Sequence, residues 1–146
     1  QILRHRSFSF QEFSQRYAEV NTDFEFREAR LQDTKNRQNS IELSEDDVRT
    51  KSNWETQQDY VIYAVEKAYK WALDNGIAKE QARAVLPEGM TKSRMYMNGT
   101  LRSWIHYIQL RSANGTQKEH QLVALACAEA IKPIFPMIEE FINEQS

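Results

Sequence analysis

The residues best suited to chemistry crowd into one short stretch near the start of the chain. Arg4, His5, Arg6, Ser7, Ser9, Glu12, Ser14 and Arg16 all fall between Arg4 and Tyr17, interleaved with Phe8, Phe10 and Phe13. An arginine presents a rigid fork of N–H donors that matches phosphate oxygens in pairs. Serine hydroxyls and backbone amides can complete such a site. The stretch therefore suits an anionic ligand, and a nucleotide phosphate would fit. A solvated basic patch has the same composition, and short basic clusters arise often by chance. Composition alone leaves both readings open.

The remaining reactive side chains are scattered. His5, His106 and His120 are far apart, and no HxxxH or CxxC pair occurs, so no metal site is expected. His120 has no motif around it and reads as a helix-surface residue. The single cysteine, Cys127, lies in Leu125-Ala126-Cys127-Ala128, a small apolar run that reads as packing without an activating partner. Trp54, Trp104 and the phenylalanines read as core. Ser14 could act as a nucleophile only with a base within hydrogen-bond reach, and the sequence places none there.

These residues must be positioned by a chain of 146 residues with a formal net charge of −2. That length suits one domain. No apolar run reaches the roughly 20 residues of a membrane span. One cysteine excludes a disulfide scaffold. Near-balanced charge argues against a dedicated nucleic-acid binder. The lone cysteine and the absence of a leader point to a reducing, cytoplasmic setting. Only 4 Gly and 3 Pro occur, so long helices are expected.

Ser7-Phe8-Ser9-Phe10 alternates like a strand, while Ser9 and Glu12 have capping-box spacing, so a turn or irregular stretch is expected. Phe24 to Arg27 alternates and reads as a short strand. Residues 30–52 are almost wholly polar and read as a surface loop. From Trp54 to Leu73 apolar residues recur at three- and four-residue steps, which predicts an amphipathic helix stopped at Asn75-Gly76. A short helix is expected over 78–84, ahead of Pro87. Further helices are expected from about Thr100 to Arg111, from Thr116 to Ile131, and from Met137 to Ile142. The fold class is therefore α+β and helix-rich, with a small antiparallel sheet and no linker dividing it.

Residue order adds a more specific signal. Arg4-His5-Arg6-x-x-Ser9 followed by Glu12, Ser14, Arg16 and Tyr17 resembles the RHRxxS signature and its continuation in the flavin-dependent thymidylate synthases, the ThyX family. Ala82-Arg83-Ala84-Val85-Leu86-Pro87 is similar to that family's ARxxLP segment. The run from Gly99 to Arg111 resembles its helix ending in Leu-Arg, and Thr116-Gln117-Lys118-Glu119 follows at the usual distance.

The resemblance implies methylation of dUMP to dTMP, with methylenetetrahydrofolate as carbon donor and NADPH as reductant through FAD. It implies dUMP contacts from Gln1, Ile2, Leu3, Arg4, Glu12, Phe13, Ser14, Gln15, Arg16, Arg83 and Arg111. Ser14 then becomes a phosphate ligand. It implies flavin contacts from Arg4, His5, Arg6, Glu12, Thr100, Leu101, Arg102 and His106. Arg111 takes the catalytic role of stabilising the uracil ionised at N3. The family is typically a homotetramer with shared active sites. At about 100° per residue, Thr100 and Arg111 share one helix face while Arg102 and His106 lie opposite, which suits a helix serving two sites. Gln11, Thr100 and Gly115 stand where many members carry Asn, Asn and His. The resemblance also implies an upstream segment before Gln1, so this ThyX-like catalytic domain is expected to be N-terminally incomplete. A nucleotide- or RNA-binding module without catalysis is the alternative. A helical interaction domain is a third.

Overall fold

The computed structural model describes residues 1–14, 23–37, 39–113 and 115–142. The longest element, α1, spans Val48–Asp74. Its start is set by a turn: the Asp47 carboxylate accepts from Ser44 N at 3.2 Å and from Ser44 Oγ at 2.8 Å. Residues 49–53 are all polar, so apolar periodicity reveals the helix only from Trp54 onward. Its end is a Schellman motif, with Gly76 at φ 74°, Gly76 N donating to Leu73 O, and Ile77 N donating to Ala72 O at 2.9 Å. The helix α2, Lys79–Ala82, continues as a 3-10 turn over Arg83–Val85, and Leu86 is extended ahead of Pro87.

Two further helices carry much of the core. α3 spans Leu101–Arg111 and α4 spans Lys118–Ile131. A 3-10 turn over Pro136–Phe141 follows. The strands are short: β1 Ser9–Glu12, β2 Arg30–Gln32, β3 Ser40–Glu42 and β4 Met95–Asn98. They form two antiparallel pairs, β1 with β4 and β2 with β3. The helix-rich α+β class holds.

Several local expectations are corrected. Residues 30–52 are no continuous loop, because they contain β2, β3 and the first turns of α1. Strand pairing there is carried by the backbone, and its side chains need no core face. Ser9 begins a strand and caps no helix. Phe24–Arg27 joins no sheet among the described residues. Gln58 substitutes for a neighbouring strand: its Oε1 accepts from Arg27 N at 2.7 Å and its Nε2 donates to Arg27 O at 3.1 Å. Trp54, Phe13 and Phe26 are exposed instead of core, and Trp54 Nε1 donates to Arg27 O at 2.7 Å.

No linker is visible in the sequence, yet the chain groups into two compact units. The first comprises Gln1–Gln11, Gln32–Ile41 and Tyr96–Ser146, and the second Glu12–Leu31 and Glu42–Met95. In the first, Phe8, Tyr107, Ile108, Ala124, Ala128 and Ile138 form the core, with Trp104 and Cys127 packed against it. Burial pushes the Cys127 thiol up, which keeps it protonated. In the second, Tyr69, Ala72 and Ala82 are buried with Leu73 and Leu86 beside them.

Candidate functional site

In the first unit, α3 places Tyr107 and Arg111 one turn apart, so both reach the same side of the helix. The chain at Gln1–Phe8 lies against them. The Arg111 Nε–H donates to His5 Nε2 at 2.9 Å. The His5 ring is buried and meets Tyr107 edge-on with centroids 4.9 Å apart. Burial, and then the Arg111 charge, hold the His5 pKa below the ordinary imidazole value. A neutral ring with a bare Nε2 is what the Arg111 donor requires. Arg111 is thereby oriented through Nε, which leaves the donors on its two terminal nitrogens uninvolved in the His5 contact.

Behind this pair lies a second contact set. His120 Nε2 is 3.0 Å from the Tyr107 hydroxyl, and His120 Nδ1 is 3.0 Å from Gln1 Oε1. His120 is 9% exposed, so its reading as a surface residue is wrong. Burial, with the Arg111 charge second, pushes its pKa down to about 4. Burial pushes the Tyr107 hydroxyl up to about 12. Both are neutral at pH 7. Sequence could have flagged His120 only by its register, since it shares a face of α4 with the buried Ala124 and Ala128.

In the second unit, Glu12 and Arg83 line one cavity of about 530 Å³, together with Glu80, Ala84, Leu86, Glu88, Thr91 and Ser93. Arg83 is carried there by the 3-10 turn that ends at the extended Leu86. Thr91 is fixed by its hydroxyl donating to Pro87 O at 2.8 Å. The two residues are far apart in sequence, and the fold brings them together. Arg83 is the one cation among the described lining residues, so among them it defines where an anionic group gains most.

The start of α3 offers a third set. Thr100 is the N-cap, accepting from Ser103 N at 3.3 Å. Leu101, Arg102 and His106 are exposed, and Arg102 and His106 lie one turn apart. Arg111 is partly buried, whereas Thr100 is exposed. Gly99 packs so closely on Phe8 that an added Cβ would stand 2.5 Å from the ring. Near the start of the chain, Ile2–Arg4 form a 3-10 turn, in which Ile2 packs against the core while Leu3, Arg4 and then Arg6 are exposed. Phe13 and Ser14 are exposed, and Gln15 and Arg16 lie outside the described residues.

The family model described as thymidylate synthase complementing protein matches residues 1–137. A protein of Paramecium bursaria Chlorella virus 1, named "Probable flavin-dependent thymidylate synthase", is 49% identical over 143 residues, covering 98% of this chain and 65% of that protein. The flavin-dependent thymidylate synthase of Synechocystis is 50% identical over 138 residues, covering 94% of this chain and 62% of that protein. The chain thus spans just under two thirds of the length of these curated relatives. Among solved structures, a UMP/dUMP methylase PolB from Streptomyces cacaoi bound with 5-Br UMP matches with a TM-score of 0.80 and 28% identity, covering 96% of this chain and 66% of that one. The arginine-rich opening, the Glu12–Arg83 cavity and the His5-held Arg111 therefore belong to a chain of the thymidylate synthase complementing protein family.

Proposed function

We propose that the protein is a flavin-dependent thymidylate synthase that methylates dUMP to dTMP. The observation that carries this reading is the geometry of Arg111. Carbon 5 of uracil is a poor nucleophile until electron density enters the ring. A fixed cation beside the N3/O4 edge stabilises the ionised base as charge develops. Arginine suits that role as a rigid, charged fork of donors, and the neutral His5 ring holds Arg111 through its Nε. In this reading the dUMP contacts come from Gln1–Arg4, Glu12–Ser14, Arg83 and Arg111. Gln15 and Arg16 complete this set.

FAD would pass reducing equivalents from NADPH to the carbon supplied by methylenetetrahydrofolate. The residues present fit it: Arg102 and His106 are exposed at the start of α3, whose Thr100-capped N-terminus favours negative charge, and Arg4 and Arg6 are exposed as well. Leu101 offers exposed apolar surface beside them. The His5 ring serves Arg111, so its part in flavin binding falls to the backbone. Two differently used faces on α3 suit a homotetramer with shared sites. No helix among the described residues is long and apolar enough to cross a membrane.

The test is spectroscopic. Purified protein should carry a flavin absorbance that changes on adding dUMP. Absence of both FAD and dUMP binding would overturn the proposal. The alternative, a nucleic-acid-binding module, predicts affinity that falls steeply with salt and no flavin.

A further inference from the structure

We propose that His120 is a positioning residue that fixes the polarity of the Gln1 carboxamide, so that its NH2 group faces the nucleotide as a hydrogen-bond donor. The inference rests on the reading of Gln1 as a dUMP contact. Its own support is the directionality of a buried hydrogen-bond chain.

Tyr107 is 0% exposed, and among the described residues His120 Nε2 is the hydrogen-bond partner of its hydroxyl. A buried hydroxyl proton needs an acceptor. If Nε2 carried the ring proton, Tyr107 would accept that proton and its own would have no acceptor. Tyr107 therefore donates to a bare Nε2. The neutral ring then carries its proton on Nδ1. Nδ1–H donates to Gln1 Oε1 at 3.0 Å. That occupies the carbonyl side of the amide. Gln1 is exposed, so the NH2 end is the one presented to a ligand.

A freely rotating glutamine offers a ligand either a donor or an acceptor. A glutamine held by His120 offers only a donor. The complementary atom on the nucleotide is an acceptor oxygen. A carbonyl, a sugar hydroxyl and a phosphate oxygen all qualify, whereas an exocyclic amino group does not. The chain Tyr107–His120–Gln1 thus converts burial in the core into selectivity at the surface.

Two isosteres separate this role from a purely structural one. The Asn amide nitrogen falls near the position of the His Nδ1, and the Gln amide falls near Nε2. His120→Asn should keep the donor to Gln1 and retain dUMP affinity within about twofold, measured by titration calorimetry on the intact protein. His120→Gln should keep the partner of Tyr107, lose the Gln1 contact and weaken dUMP binding roughly five- to tenfold, the scale of one hydrogen bond. Gln1→Ala should weaken it equally, and adding His120→Gln to Gln1→Ala should cause no further loss. Rescue by Gln and failure by Asn, or additive losses in the double variant, would overturn the inference. A direct readout needs no nucleotide: 15N NMR of the free protein should show His120 protonated at Nδ1, and protonation at Nε2 would refute the argument. If the wild type binds no dUMP while the ring is protonated at Nδ1, the functional reading fails and the role at the nucleotide falls with it, whereas the hydrogen-bond chain stands.

Discussion

Acid should loosen this protein through His120. The unfolded chain takes up a proton on His120 at a pKa near 6.5, and the folded chain only at about 4. The folded pKa lies below the unfolded one. The contribution is therefore fully present above pH 6.5 and is lost as pH falls towards 4. At 1.36 kcal/mol per pH unit the loss amounts to about 3 kcal/mol. That is a large share of a typical folding free energy of about 5–15 kcal/mol. Because the ring is buried, solvent screening reduces the figure little. His5 is shifted in the same direction, so its protonation adds to the effect. The assay is urea unfolding at a series of pH values from 7.5 to 4.5, comparing wild type with His120→Gln. The variant should be less stable at pH 7.5, because it keeps only part of the hydrogen-bond chain. Its stability should fall less steeply with acid. The other ionisable groups are common to both proteins, so the difference in slope isolates His120. Parallel curves for the two proteins would refute the claim that His120 is buried and neutral.

Gly99→Ala should destabilise by overpacking against Phe8, by about 1–3 kcal/mol, and lower the melting temperature by roughly 2–4 °C for each of those; an unchanged melting temperature would mean the ring moves aside freely. Thr100→Ala removes the cap of α3 and should cost about 1 kcal/mol by denaturant titration. Arg111→Ala should reduce kcat far more than it weakens dUMP binding, because the interaction is strongest where the base is ionised; equal loss in binding and in kcat/KM would make Arg111 a ground-state contact only.

Much of the fold is legible where side chains report burial. α1, α3 and α4 each show an apolar stripe, and Asn75-Gly76 marks a stop that the Schellman geometry realises. What the sequence conceals is structure held by backbone and polar side chains. The first turns of α1 depend on Asp47 and Ser44, the pairing of β2 with β3 depends on main-chain bonds, and Phe24–Arg27 is tied by Gln58 instead of a strand. None of these leaves a hydrophobic period. The site shows the same division. Arg83 and Arg111 are visible through motif and residue type. His120 is not, because its role comes from a contact with a residue 119 positions away.

The division of the chain into two units carries a consequence for how the protein is made. The chain passes from one unit to the other between residues 11 and 12, 31 and 32, 41 and 42, and 95 and 96. Neither unit is a contiguous stretch. During synthesis the segment bearing His5 and Phe8 leaves the ribosome well ahead of the helices that bury it, and it stays unpartnered until α3 and α4 have followed. The buried cluster of Tyr69, Ala72 and Ala82 in the second unit lies wholly within 42–95 and can condense first. The arginine-rich stretch is therefore translated ahead of the helices that bury it, and the Arg111–His5 contact closes only when α3 has emerged.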